Sequence, residues 1–215
     1  LGQGTSPGSF WHFYDTSDNA YIDGLTWVGT APNTYSHIKY SYNGNYQVLR
    51  RNTMRVLRTT PPAGGLNQSC FMVSSPQSSY AYYMILQDNS CSDVDVGSGF
   101  KIYSTYKMLI EDNTISNVYD TGGGGNIEGI AIKSGVNRAT VRHNTIHDVS
   151  QKGIGGNMHS NGLTNTLDVE VLFNRVYNAS GNAAQINQDC MAGPMYFYRN
   201  TFIGRVEVTN TDSAD

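Results

Sequence analysis

Between Asn126 and Asn161 apolar and polar residues alternate in short bursts. Ile130-Ala131-Ile132 and Thr140-Val141 flank Ser134-Gly135-Val136-Asn137, a turn composition, and Asn144-Thr145-Ile146-His147-Asp148-Val149 alternates again. Strand, tight turn, strand, Asn, strand, loop is one coil of a solenoid, and the rest of the chain repeats it. Alignment on Asn52, Asn89, Asn113, Asn144, Asn174 and Asn200 brings three columns into line. Three positions earlier stand Leu49, Leu86, Ile110, Val141, Val171 and Phe197. Two positions later stand Met54, Cys91, Ile115, Ile146, Val176 and Phe202. Five positions earlier stand Gln47, Met84, Met108, Ala139, Val169 and Met195, apolar in all but the first.

The asparagines are 37, 24, 31, 30 and 26 residues apart. Helical repeats would show a 3.6-residue period, and none is found. Variable intervals around strictly spaced short strands predict an all-β, single-stranded parallel β-helix, where insertions enter loops without disturbing the stack. The repeated Asn suits a left-handed corner, and its amide can bond to the equivalent Asn one coil away. Such an internal Asn ladder is structural, so its members are not site candidates. Residues 1–36 read as a degenerate rung or cap, with Asp23 at the corner and Phe10, Trp11, Phe13, Tyr14 and Trp27 clustered. Residues 37–206 read as regular rungs, 59–81 as the longest loop, and 1–215 as one β-helix domain cut from a longer polypeptide.

Composition narrows the function. Only 14% of the 215 residues are charged and the net charge is −3, with no Lys/Arg cluster for nucleic acid. No apolar run is long enough to span a bilayer. The chain starts at Leu1 with no signal-peptide pattern, as a mature, secreted piece would. Of three cysteines, Cys70 and Cys91 are the preferred pair if one forms, and buried free thiols are the alternative.

The rungs Ile110-Glu111-Asp112-Asn113-Thr114-Ile115 and Val141-Arg142-His143-Asn144-Thr145-Ile146 resemble those of right-handed parallel β-helix proteins of the pectate-lyase-like superfamily. A narrower stretch, Glu128-Gly129-Ile130-Ala131-Ile132-Lys133-Ser134-Gly135-Val136-Asn137, resembles the E-x-I-x-x-K-S-x-x-N segment of the alginate lyase and chondroitinase B family. That resemblance implies that Lys133 is the base that takes the proton beside a uronate carboxylate. It implies that Glu128 helps hold a calcium ion, with Asn126 at the place of a second acidic ligand. One coil later, His159 matches the family's Arg-His-Gly-Asn segment, while Met158 stands where its Arg would act on the leaving oxygen.

The chemistry is coherent without the family. β-Elimination needs a base, a cation on the carboxylate and a proton donor for the glycosidic oxygen. With Ile130 and Ile132 inside, Ala131 and Lys133 point outward, where Lys133 is expected to bury little. Arg138 and Arg142 are the cations expected to lower the Lys133 pKa. Glu128 lies an odd distance from Lys133, so the two face opposite ways unless Gly129 breaks the alternation. Asp93 and Asp95 place two carboxylates on one face, as a glycoside hydrolase requires, or cap a turn. His143 reads as a satisfied corner residue. The expected partner is an acidic polysaccharide, cleaved by elimination; the alternative is a non-catalytic segment of an adhesin, fibre or tailspike-type assembly that oligomerises through its solenoid ends.

Overall fold

A computed structural model describes residues 11–13, 19–29, 38–41, 45–56, 68–74, 80–95, 97–120, 127–133, 135–156, 168–187 and 193–209. Among the described residues there are 22 strands and no helix. They form three parallel sheets of eight, seven and seven strands. Each coil gives one strand to each sheet in turn. Glu128–Ile132 lies in the first sheet, Asn137–Arg142 in the second and Thr145–Val149 in the third. Neighbours in a parallel sheet need a long crossover. Here the strands of the other two sheets supply it, and the result is a right-handed single-stranded parallel β-helix.

The three columns are the sheet register. Leu86, Ile110 and Val141 are direct partners across the second sheet, as are Cys91, Ile115 and Ile146 across the third. All six are 1% exposed or less and stack along the axis of the core. Gln47, the polar exception, sits in register with Met84 and is fully buried, its Nε2 donating to the Asn45 carbonyl at 3.2 Å.

Between the second and third sheets the chain always turns in two residues, and from the second coil onward the second of these is the ladder Asn. From Asn89 onward each side-chain oxygen accepts from both the backbone N–H and the Nδ2 of the Asn one coil earlier. For Asn89 and Asn113 these bonds are 2.9 and 3.0 Å. Each Nδ2 also donates backward, as from Asn113 to the Leu86 carbonyl at 2.9 Å. The amide therefore stitches three coils. The left-handed residue is not the Asn itself, as expected from sequence, but the one before it. Arg51, Asp88, Asp112, His143, Phe173 and Arg199 have φ between 51 and 56°. The Asn keeps ordinary backbone so that its amide can point into the core, and its neighbour absorbs the turn.

The sequence reading needs two further corrections. In the first coil, Gly24 (φ 69°) and Leu25 occupy the two corner positions, and Leu25 N–H donates to Asn52 Oδ1. Asp23 instead ends its strand and pairs with Arg50 and Arg51. The 59–81 stretch is not all loop, because Gln68–Ser74 is a strand of the first sheet with Phe71 fully buried. Its Cys70 forms a disulfide with Cys91 of the third sheet, closing a 21-residue separation. Residues 1–36 contribute the strands Trp11–Phe13, Tyr21–Asp23 and Thr26–Gly29, one to each sheet, with Trp27 in the core. The remaining aromatic side chains of that cluster, and Cys190, lie outside the described residues. At the other end Phe197, Val206 and Val208 continue inward columns, yet are 37%, 52% and 58% exposed.

Ile146→Ala removes a fully buried branched side chain from a stacked column and should lower unfolding free energy by about 2–4 kcal/mol. Thr145→Ala, on the outer side of the same strand, should change it by less than about 0.5 kcal/mol. Urea unfolding of the two variants checks this, and equal losses would mean the strand faces the other way.

Candidate functional site

The sequence-predicted Glu128 and Lys133 meet on the outer side of the first sheet. Lys133 Nζ lies 2.7 Å from Glu128 Oε2. Gly129 resolves their parity conflict. A Cβ there would lie 2.4 Å from Cγ2 of the core residue Ile146 and 2.6 Å from the Gly153 carbonyl oxygen. Gly129 therefore turns inward next to the equally inward Ile130, and one pleat is skipped. Gly99 and Gly153 repeat the device in the coils on either side, where a Cβ would meet Ile115 and Val176.

Register then gathers charge around Glu128. Ser98, Glu128 and Lys152 are direct partners on successive strands, and so are Lys101, Ala131 and Gly155. Glu128 is fully buried, with Ser98 Oγ donating to Oε2 at 3.5 Å and Lys152 Nζ 3.9 Å from Oε1. Its carboxylate lies across the space that a side chain at 155 would fill, because a Cβ on Gly155 would come within 2.2 Å of Oε1. Lys101 is 7% exposed, and its Nζ sits 5.7 Å from the ring centre of Tyr103. Lys152, half-buried, is the most open of the three lysines.

The electrostatics separate these groups. Burial, and then the Lys133 ammonium, push Lys101 down to about 8 against the pull of Glu128. Burial and the Glu128 charge push Tyr103 up to about 12. Burial also lowers Lys152, with Glu128 opposing. One amine near neutrality, one ammonium bound to a carboxylate and one phenol that keeps its proton are the components of proton transfer.

The other expectations fare unevenly. Lys133 points outward but is 5% exposed, so removing it would strand a buried carboxylate rather than trim a surface. Arg138 and Arg142 do not join the cluster. Both are on the second sheet, Arg138 over the Tyr106 ring and Arg142 ion-paired with Glu111. His159, Asn126 and Met158 lie outside the described residues. Of the Glu128 oxygens expected to hold calcium, Oε2 is ion-paired with Lys133 and Oε1 is buried without a hydrogen-bond partner.

Asp93 is left-handed (φ 60°) within the strand Ser90–Asp95, so the turn-capping alternative does not hold. Burial opposes it, but bonds from Arg55, Asn117 and Ser92 hold its carboxyl below the ordinary value, the wrong direction for a general acid. Asp95 is buried. His143 is at the corner as expected, exposed beside Asp112 and Phe173. With Glu111 and Asp112 it brings three ligand atoms within 4.8 Å, but Glu111 is already bound by Arg142.

No protein-family model and no curated protein matches the chain. Among solved structures it is similar to a mutant of the periplasmic alginate epimerase AlgG, at 10% identity and a TM-score of 0.53, over 94% of this chain and 48% of that one. It is also similar to the Dettilon tailspike protein, at 14% identity and a TM-score of 0.40, over 94% of this chain and 40% of that one. The chain spans about half the length of the epimerase. At 10% identity the likeness is one of fold, the parallel β-helix.

The lowered Lys101 pKa makes a stability prediction. Below about 8 both folded and unfolded chains hold the proton, and the folded chain carries the whole cost of a buried ammonium. Between about 8 and the ordinary 10.5 the folded chain releases its proton first, so stability rises with pH. Lys101→Met should therefore be more stable than wild type near neutrality, by up to about 3 kcal/mol, and the gap should close as pH approaches about 10. Urea unfolding of both proteins at the two pH values measures it; a pH-independent gap contradicts the placement.

Proposed function

We propose that the chain carries a site for eliminative cleavage of an acidic polysaccharide, built from Lys101, Tyr103, Glu128 and Lys133 on the outer face of the first sheet. The buried Glu128–Lys133 pair with Lys101 beside it is the observation that carries this. The base role passes from Lys133, bound to Glu128, to the neutral amine of Lys101. Lys101 takes the proton from the carbon next to the uronate carboxylate. The released pair forms a carbon–carbon double bond and the C–O bond to the departing sugar breaks. The Tyr103 hydroxyl protonates the leaving oxygen, and the Lys101 ammonium returns the proton to Tyr103. Lys133 presents its ammonium to the uronate carboxylate, so positive charge is supplied where a calcium ion would otherwise be needed.

Two observations support the substrate and setting. The fold is shared with a periplasmic alginate epimerase, which fits a uronate polymer. The Cys70–Cys91 disulfide fits an oxidising, extracellular or periplasmic compartment.

Exposed apolar side chains favour a second function, a stacked segment of a larger assembly. Phe197, Val206 and Val208 continue buried columns yet lie exposed, an apolar surface that a second copy would cover. Sedimentation equilibrium separates the two, since a monomer at all concentrations counts against stacking between copies.

Incubation with alginate, pectate and chondroitin, followed by the ultraviolet absorbance of the unsaturated product, tests cleavage. The rate should rise with pH through about 8 as Lys101 loses its proton. Lys101→Met and Lys101→Arg should each lower it by roughly 10²–10⁴-fold, because neither side chain accepts a proton. No product from any uronate, with or without added calcium, sinks the proposal.

A further inference from the structure

The second sheet carries a surface that the first-sheet site does not use. Tyr46, Tyr83, Lys107 and Arg138 occupy one column, each at the start of its strand and each left-handed, with φ of 57, 57, 60 and 55°. The shared left-handed backbone gives all four residues the same local geometry, so their side chains line up from coil to coil. Tyr46 and Tyr83 stack with ring centres 4.8 Å apart and planes 2° from parallel. Lys107 Nζ continues the stack 5.1 Å from the Tyr83 centre, and Arg138 Cζ lies 5.5 Å from that of Tyr106.

Beside this wall runs a floor of outward side chains in register, Val48, Ile85, Leu109 and Thr140. Wall and floor enclose an open groove of about 390 Å³. At roughly 4.8 Å per coil it is about 14 Å long. Among the described residues no carboxylate lines it, although the protein as a whole is acidic at −3. Both columns turn acidic in the next coil, at Asp168 and Glu170, which closes the cationic stretch.

We propose that this groove is a second binding surface, for an anionic polysaccharide lying along the solenoid axis, distinct from the lysine cluster on the first sheet. An aliphatic floor suits the apolar faces of sugar rings. Exposed tyrosines offer ring edges and hydroxyls that stay wet, unlike the dry core of a protein–protein contact. Lys107 and Arg138 select for acid groups, since a cation resting on an aromatic ring keeps its full charge and its outward N–H donors. The surface acts by retention alone and requires no cleavage.

The test uses the full chain in native gels cast with or without pectate, with neutral dextran as the comparator. Lys107→Asn and Arg138→Asn are combined in one variant, because Asn tolerates left-handed backbone. Thermal unfolding confirms that the variant folds. Wild type should be slowed by pectate but not dextran, less so as salt rises, and the double variant should bind at least tenfold more weakly. A folded variant retained as well as wild type overturns the proposal, as does wild type that pectate does not retard. So does equal slowing by dextran. Concentration-dependent self-association lost in the variant would assign the groove to a second copy instead and equally overturn it. Absent cleavage in the product assay would sink the first-sheet site and leave this result unaffected.

Discussion

The asparagine ladder is the constraint on which the rest of the molecule depends. A solenoid of parallel strands has no local hairpins to set its register, and a slip of one residue would turn every core side chain outward. The ladder prevents this at one corner of each coil. Asn144 Oδ1 accepts twice from Asn113, while Asn144 Nδ2 donates to the Asn174 side chain and the Ile110 carbonyl. A buried amide with those bonds has one register in which it is satisfied and none one residue away. Its cost falls on the preceding residue, which holds a left-handed backbone.

From that fixed corner the columns follow, and from the columns the site. The second and third sheets carry regular inward side chains on either side of the Asn. The first sheet lies furthest from it and departs from the rule. Gly99, Gly129 and Gly153 let two successive residues face inward, so Glu128 and Lys133 share the outer face. Gly155 leaves room for the Glu128 carboxylate. The charged cluster is therefore a product of missing side chains as much as of present ones. Lys101 and Lys152 reach it only because neighbouring coils are in register.

The same geometry explains what could be read in the sequence. The second-to-third corner is always two residues long, so the columns flanking each Asn were visible as fixed offsets. Connections into and out of the first sheet range from one residue, between Asp95 and Gly97, to twelve, between Gly156 and Val169. No fixed offset ties Lys101 to Ala131 or Lys152 to Glu128, so neither lysine stood out. Glu128 and Lys133 were found because they share one short segment. Arg138 and Arg142 lie near them in sequence, but the chain turns after Lys133 and carries both to another sheet. The Gln68–Ser74 strand is not legible in the sequence because it falls outside every Asn-anchored column, beside a Gly- and Pro-rich stretch.

Coil register, rather than any local motif, builds a lysine amine with a lowered pKa on the first sheet. Heteronuclear NMR titration of the lysine Nζ resonances, assigned through Lys101→Met, measures this directly. A Lys101 midpoint of about 8 is expected. A midpoint at the ordinary lysine value of 10.5 would mean that Lys101 is solvated and that the cluster does not exist as described.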